Sequence, residues 1–482
     1  MIRVSLLSVA AVLAFAAGTA PSAFAKDGVY TSTTLGRNGD VTVQTTITNG
    51  RIADVKVLDW SETHPIADLP RVKVPADIVK NQSLGVDVVS GATLTSFAII
   101  NGVRDALKQA GLNPADFSKK IAPQPKLTDT VKESADIVII GAGGAGLSAA
   151  VTAAKAGKSV IVMEKTHYAG GNTSVAGGCY NAADPALEAK QEMSPQRRAS
   201  VDALLAEPVR SKLHGELIQK VKEQLAQYDA KGGKYLFDSV ELHALQSWKA
   251  GDYAGNLDLV YELAKGAPEM QKELAEMGFK WNSGTEQVVG ALWPRSNRAS
   301  NYKSGVGYID TFLNEIKTKH LPVTFIMNTA ASDILMKDGR AAGVVGTAEN
   351  GRTFEVLAKD GVILTTGGFS ANIDMRVQYD TIWDKKIGKG VMTTNVPSIT
   401  GDGIKMAQKV GANLIDMGYI QLLPTTDPYT GATNHAVSLT TGIYLNTDGK
   451  RFVNELGRRD ELARAALAQP GHKFFILATS DA

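Results

Sequence analysis

The chain of 482 residues contains a single cysteine, Cys179. No internal disulfide can form, and with no Cys-x-x-Cys-His no c-type haem is attached to this chain. Set among glycines, Cys179 reads as a small buried side chain. Charge of one sign is also missing. Lys plus Arg number 51 against 49 Asp plus Glu, which gives no electrostatic footprint for nucleic acid or a membrane surface. Long apolar runs are absent except at the start. Arg3 precedes an apolar run over residues 4–17, and Ala23-Phe24-Ala25 offers a small-x-small cleavage site before Lys26. Residues 1–25 therefore read as a secretory signal peptide, since a membrane anchor needs about 20 apolar residues. In a bacterium the mature chain would be periplasmic. No internal repeat and no metal site is read, and the length suffices for two or three domains.

The organising stretch covers residues 135–178. An apolar run over 137–140 breaks into Gly141-Ala142-Gly143-Gly144-Ala145-Gly146, an alanine-rich helical pattern follows, and a second apolar run ends on Glu164. Strand, glycine turn, helix, strand and acid are the parts of a dinucleotide site. Gly141 permits the tight turn, Gly143 lets backbone approach a pyrophosphate, and Gly146 lets the helix pack close to the strand. The helix N-terminus offers unpaired N–H groups to phosphates, and Glu164 lies where a ribose hydroxyl is met.

With Gly170-Gly171-Asn172-Thr173 and Ala176-Gly177-Gly178 following, the stretch resembles the FAD-binding segment of the fumarate reductase/succinate dehydrogenase flavoprotein family, in its soluble flavocytochrome c-like branch. The resemblance implies non-covalent FAD lined by Ala145, Glu164, Asn172, Thr173 and Gly178, with Gly141, Gly143, Gly146 and Gly177 in the same turns. It also implies an adenine-side turn at Thr329-Ala330-Ala331, a returning strand at 361–369 and a further contact at Asp402. Such flavocytochromes take electrons through haems. Here the resemblance implies another donor, a membrane quinol dehydrogenase or a small cytochrome.

Residues 28–57 read as three short strands, with Asn49-Gly50 as a hairpin turn. A helix with an Ile99, Ile100, Val103, Leu107 stripe closes the unit. Before it lies Asp87-Val88-Val89-Ser90-Gly91-Ala92-Thr93. By residue type alone this is a small polar turn in which Thr93 or Thr95 caps a helix. Residues 27–113 also resemble the FMN-binding domain of sodium-pumping quinone reductase subunits and urocanate-reductase-like proteins. There a flavin transferase joins FMN phosphate to the final threonine, which implies covalent FMN on Thr93 with Asp87, Ser90, Gly91 and Ala92 as the recognition motif.

In Asn454-Glu455-Leu456-Gly457-Arg458-Arg459-Asp460, the matching family segment implies that Arg459 donates a proton to substrate. From residue types alone, a helix-capping Arg–Asp pair fits equally well. Arg295 and Arg298 are further candidates to face an anion. Fumarate reductases carry a histidine before the proline matching Pro424, where this chain has Leu423. In place of their Glu-x-x-Arg relay stands His435-Ala436-Val437-Ser438. His435 either touches a substrate tail or feeds protons to Arg459, or it is a solvated loop residue.

These readings give an α/β fold in which a Rossmann-type FAD-binding domain, interrupted by an α+β cap, follows a small α+β FMN-binding domain. The expected boundaries are 27–113 for the FMN domain, 114–134 for a linker, 135–240 and 361–482 for the FAD domain and 241–360 for the cap. The expected activity is reduction of the C=C bond of an unsaturated carboxylate, urocanate or another bulky or short enoate before fumarate. The second reading is a flavinylated electron-transfer protein or an inactive truncated fragment. Family members continue past the match to Phe474-Phe475-Ile476-Leu477, so the chain is expected to lack their C-terminal return.

Overall fold

The computed structural model describes residues 26–288, 291–424, 426–427, 431, 442–455 and 457–478. They form two compact units, one of residues up to Thr63 and Ala67–Pro123, the other of His64–Ile66 and the residues from Gln124 on. The signal-peptide reading lies outside the described residues.

In the first unit, strands β1 (Gly28–Leu35), β2 (Asp40–Thr48) and β3 (Arg51–Trp60) make an antiparallel meander. Asn49 and Gly50 both take positive φ, +51° and +69°, as a two-residue hairpin turn of right-handed twist requires. Alternation along β2 buries Val41, Val43 and Ile47. Helix α2 (Thr93–Gln109) covers that face with Ile99, Val103 and Leu107, all fully buried. A further helix, α1 (Asp68–Asn81), carries Pro70 and Pro75. Its prolines and its weak apolar stripe hid it from a periodicity reading. Arg71 of this helix stacks over Trp60 at 5.1 Å.

The second unit is built on β4 (Thr130–Ile140), α3 (Gly144–Lys155) and β5 (Val160–Met163). Its six-stranded sheet runs Val323–Ile326, β5, β4, Thr353–Leu364, Arg340–Ala348, Thr329–Lys337. The first four strands are parallel and the last two join antiparallel. Leu147, Ala150 and Val151 of α3 are buried together with Ile309, Phe312 and Ile316 of the helix Val306–Thr318.

Three expected boundaries shift. Thr130 to Ser134, read as linker, already pair with Thr353 to Leu357. The strands Thr329–Lys337, Arg340–Ala348 and Thr353–Leu364, assigned to the cap as far as residue 360, lie in the dinucleotide sheet. Asp338-Gly339 and Asn350-Gly351 announce hairpins, but a turn signal does not say which sheet edge its strands will join. The inserted segment is mostly helical and starts before residue 241. Its core gathers Val201, Leu217, Val221, Leu242, Trp248 and Trp293. Its helices are capped by side chains of Ser194, Ser211, Ser239 and Asn256, as their residue types favour.

That core also holds charge. Arg295, read as a candidate anion contact, is buried and donates to both carboxylate oxygens of Asp238 at 2.8 Å and to Gln246 Oε1 at 2.6 Å. It is committed to the cap interior. Beside Asp238 lies Glu188, fully buried, with no donor to either carboxyl oxygen among the described residues. Burial, and then the Asp238 charge, pushes the Glu188 carboxyl up from 4.5 to about 9. At neutral pH it is therefore an acid, able to donate its proton to Asp238.

A proton taken up on folding makes stability fall as pH rises between the unfolded and folded pKa values, here from 4.5 to about 9. The slope is at most about 1.4 kcal/mol per pH unit. Glu188→Gln keeps a donor and removes the titration. Urea unfolding followed by tryptophan fluorescence should show the variant losing less stability than the parent between pH 6 and 9.

Candidate active site

At the end of β4 the chain turns through Gly141, whose φ is +103°. A Cβ on Gly146 would stand 1.9 Å from the Gly141 carbonyl oxygen, so α3 starts almost in contact with the turn. Thr365, on the segment leaving Thr353–Leu364, donates to the carbonyls of Ile140 and Gly141, each at 2.9 Å. Glu164 accepts the Ala142 N–H at 2.8 Å and the Thr166 N–H at 2.8 Å. No side chain caps α3 at Gly143. Of its first-turn amides, Gly144 N–H finds Thr173 Oγ1 at 3.2 Å, and the next ones have no partner among the described residues and stay open to a ligand.

These groups border a cavity of ≈ 280 Å³. Of the residues expected around a dinucleotide, Gly141, Gly143, Ala145, Glu164, Asn172, Thr173, Ala331 and Asp402 line it. Gly146 sits behind it as a packing residue, and Gly177 and Gly178 border the next cavity instead. Ala331 lies in the strand Thr329–Lys337 rather than in a turn. Sequence reasoning missed Lys165, whose Nζ donates to Asp402 Oδ2 at 2.6 Å and to Thr400 Oγ1 at 2.9 Å. Burial pushes the Asp402 carboxyl up, but the hydrogen bonds from Lys165 and Thr400 outweigh it and hold it below its ordinary value. Asn172 accepts the Val396 N–H at 2.9 Å, which ties the turn to a distant loop.

A larger cavity, ≈ 1450 Å³, shares Gly144, Ala145, Asn172 and Thr173 with the first. Arg459, the first residue of the helix Arg459–Leu467, lines it. Its neighbour Arg458 takes the structural role that residue types allowed for either. Arg458 donates to both oxygens of Asp252 at 2.7 and 2.9 Å and to Asp460 at 3.0 Å. Those bonds, Asp252 first, raise its pKa. Glu461 accepts the Arg458 N–H at 3.0 Å. Glu455 is turned away, held by Arg451 and by the Tyr444 N–H. Leu423 and Arg298 also line the cavity. Cys179 is exposed there rather than buried. Enclosure by the cavity wall raises its pKa, and Arg298 only partly opposes that. His435 lies outside the described residues.

In the first unit, Asp87, Ser90, Gly91 and Thr93 are exposed and Ala92 is buried. Gly91 has φ +83°. Neither threonine caps α2. Thr95 donates to Glu62, which also accepts the Arg37 N–H at 2.7 Å, and the cap position is Ala92 with no side-chain bond. The Thr93 hydroxyl stands exposed at the first helical position, where the helix end favours a phosphate.

Residues 136–479 match the FAD binding domain family. The chain belongs to that family. Residues 36–108 match the FMN-binding domain, so this FAD-binding protein carries a second flavin domain, and FAD and FMN are its cofactors. It is 36% identical over 467 residues to an NADH:acrylate oxidoreductase of Vibrio harveyi, covering 93% of this chain and 46% of that one. It is 31% identical over 453 residues to a urocanate reductase of Eggerthella lenta, covering 91% and 65%. The chain thus spans less than two thirds of the length of these relatives. Among solved structures, the open conformation of a flavocytochrome c3 fumarate reductase matches with a TM-score of 0.53 and 25% identity, over 71% of this chain and 52% of that one.

The cradle of this FAD-binding domain fits the cofactor. The open amides at α3 suit a pyrophosphate, and Glu164 retains acceptor capacity for ribose hydroxyls beyond its backbone bonds. A Cβ at Gly144 would meet Thr173 Oγ1 at 2.7 Å, so only glycine there lets Thr173 pack against the start of α3. Among the described residues no cluster suits a metal ion, and no helix is long and apolar enough to cross a membrane.

Gly146→Ala should push α3 off the turn at a cost of about 1–3 kcal/mol. The purified variant is expected to retain much less FAD, read from its absorbance against protein. Full FAD occupancy would show that the close approach does not matter.

Proposed function

We propose that the protein reduces the C=C bond of a small α,β-unsaturated carboxylate, with electrons passing through FMN to FAD. The observation that carries this is Arg459 on the wall of the cavity that opens from the FAD cradle. Among its described charged lining residues, Arg298, Lys303 and Arg459 face a single carboxylate, Glu286, so the cavity favours an anion. The names of the relatives, acrylate and urocanate reductases, support the same class.

FAD, when bound, supplies the hydride. Arg459 is placed to stabilise charge developing on the substrate carboxylate and to give a proton from a guanidinium nitrogen to the carbon beside that carboxylate. Arginine stays protonated in proteins, so that proton must be replaced as it leaves. Leu423 offers the cavity an apolar surface where a second carboxylate would need an anchor. This supports acrylate-like or urocanate-like substrates over fumarate. We read Thr93 as the covalent attachment point of FMN, served by a flavin transferase. The apolar segment near the N-terminus supports export to the periplasm, with a quinol dehydrogenase or small cytochrome as donor.

Anaerobic oxidation of reduced methyl viologen should depend on an added enoate, with acrylate and urocanate turned over faster than fumarate. Flavin oxidation without enoate dependence would favour an electron-transfer protein instead. Arg459→Lys should keep both flavins and lower kcat by ~10²-fold or more, because lysine lacks the planar fork. Arg458→Ala should chiefly lower stability.

After co-expression with a flavin transferase, intact mass should show one FMN adduct. Thr93→Ala should abolish it, and an adduct that survives would move the attachment elsewhere.

A further inference from the structure

The cavity that holds Arg459 carries a second guanidinium. Arg298 follows the short strand Ser296–Asn297. Its Nε donates to Glu286 Oε1 and its Nη1 to the Gly177 carbonyl oxygen, while Nη2 has no hydrogen-bond partner among the described residues. Gly177, Glu286 and Arg298 all line the cavity. The neighbouring pair sets the contrast. The Arg295 and Asp238 side chains are 6% and 0% exposed, those of Arg298 and Glu286 37% and 49%. A buried pair is costly to break. An exposed one contributes little and opens easily. Arg298 is thus a guanidinium fixed by a backbone carbonyl, with one nitrogen unused, whose only carboxylate partner among the described residues is solvated and replaceable.

We propose that Arg298 docks the carboxylate of the substrate and that Glu286 occupies this position while the cavity is empty, so that the chain carries its own competitor for the substrate. This rests on the enoate reading above. A carboxylate entering the cavity takes the unused Nη2 and displaces Glu286 from Nε. A neutral alkene gains nothing from the exchange. Arg298 is then a binding residue that selects charge, and Glu286 sets the apparent affinity without touching the reacting carbons.

The test uses the full-length holoenzyme with acrylate, acrylamide and propionate. Glu286→Gln should lower KM for acrylate about two- to fivefold, the scale of an exposed ion pair, with kcat and FAD content unchanged and no gain for acrylamide. Arg298→Gln should raise KM for acrylate about tenfold or more, the loss of a charged hydrogen bond, and Arg298→Lys should recover part of it. Propionate binding, read as a perturbation of FAD absorbance, should tighten in Glu286→Gln by the same factor as KM. Unchanged or weaker propionate binding in Glu286→Gln overturns the proposal, as does loss of FAD from Arg298→Gln with KM unaltered. If the parent turns over no enoate but Glu286→Gln still tightens propionate binding, the docking role stands and the enoate reading falls. Absence of a propionate response in every variant overturns the docking role.

Discussion

The contact between Gly146 and the Gly141 carbonyl is the constraint from which the rest of the site follows. With no side chain between them, α3 begins within van der Waals reach of the strand it leaves. Gly144 N–H is taken by Thr173 Oγ1, and the amides after it have no side-chain cap among the described residues. Thr365 closes the other side by bonding the carbonyls of the same turn, and Glu164 pins Ala142 from the adjacent strand. Three parallel strands therefore meet at one point. Ala145 and Thr173, which belong to it, form the threshold to the larger cavity.

Beyond that threshold the decisive choices are made by carboxylates. Two pairs of arginines, 295 with 298 and 458 with 459, are close in sequence and differ in fate. Asp238 draws Arg295 into the cap core, and Asp252 draws Arg458 across to the loop after the helix Val240–Ala250. Each capture fixes the local backbone and leaves the other arginine of the pair facing the cavity. The Arg458–Asp252 bond joins the helix that starts at Arg459 to the inserted segment, so Arg459 is positioned by its neighbour's ion pair. Such partly exposed bonds contribute modest stability. Their effect here is geometric.

Much of this was legible because the features are local. The glycine turn, the acid at the end of β5, the Asn49-Gly50 hairpin and the α2 stripe depend on spacings of a few residues, and residue chemistry constrains such spacings tightly. Eight of the expected FAD contacts line one cavity. The readings that shifted all required knowledge of distant partners. Helix α1 gave no periodic signal through its two prolines. The strands between 329 and 364 announced themselves as hairpins, yet pairing with β4 decided their sheet. Cys179, read as buried among glycines, is exposed because the cavity runs past it.

The sequence by itself determined that a dinucleotide-binding βαβ unit follows a small meander-and-helix domain, and which residue types stand at each turn. A glycine at positive φ, or an alternation of buried and exposed positions, is a property of the chain next to itself. Only the tertiary structure showed that Asp238 takes Arg295 while Arg298 meets the cavity, and that Asp252 takes Arg458. It alone showed that Lys165 answers Asp402, and that Glu188 shares a buried site with Asp238. Those outcomes depend on charges far apart in the chain being brought together out of water, where burial and pairing set protonation and orientation.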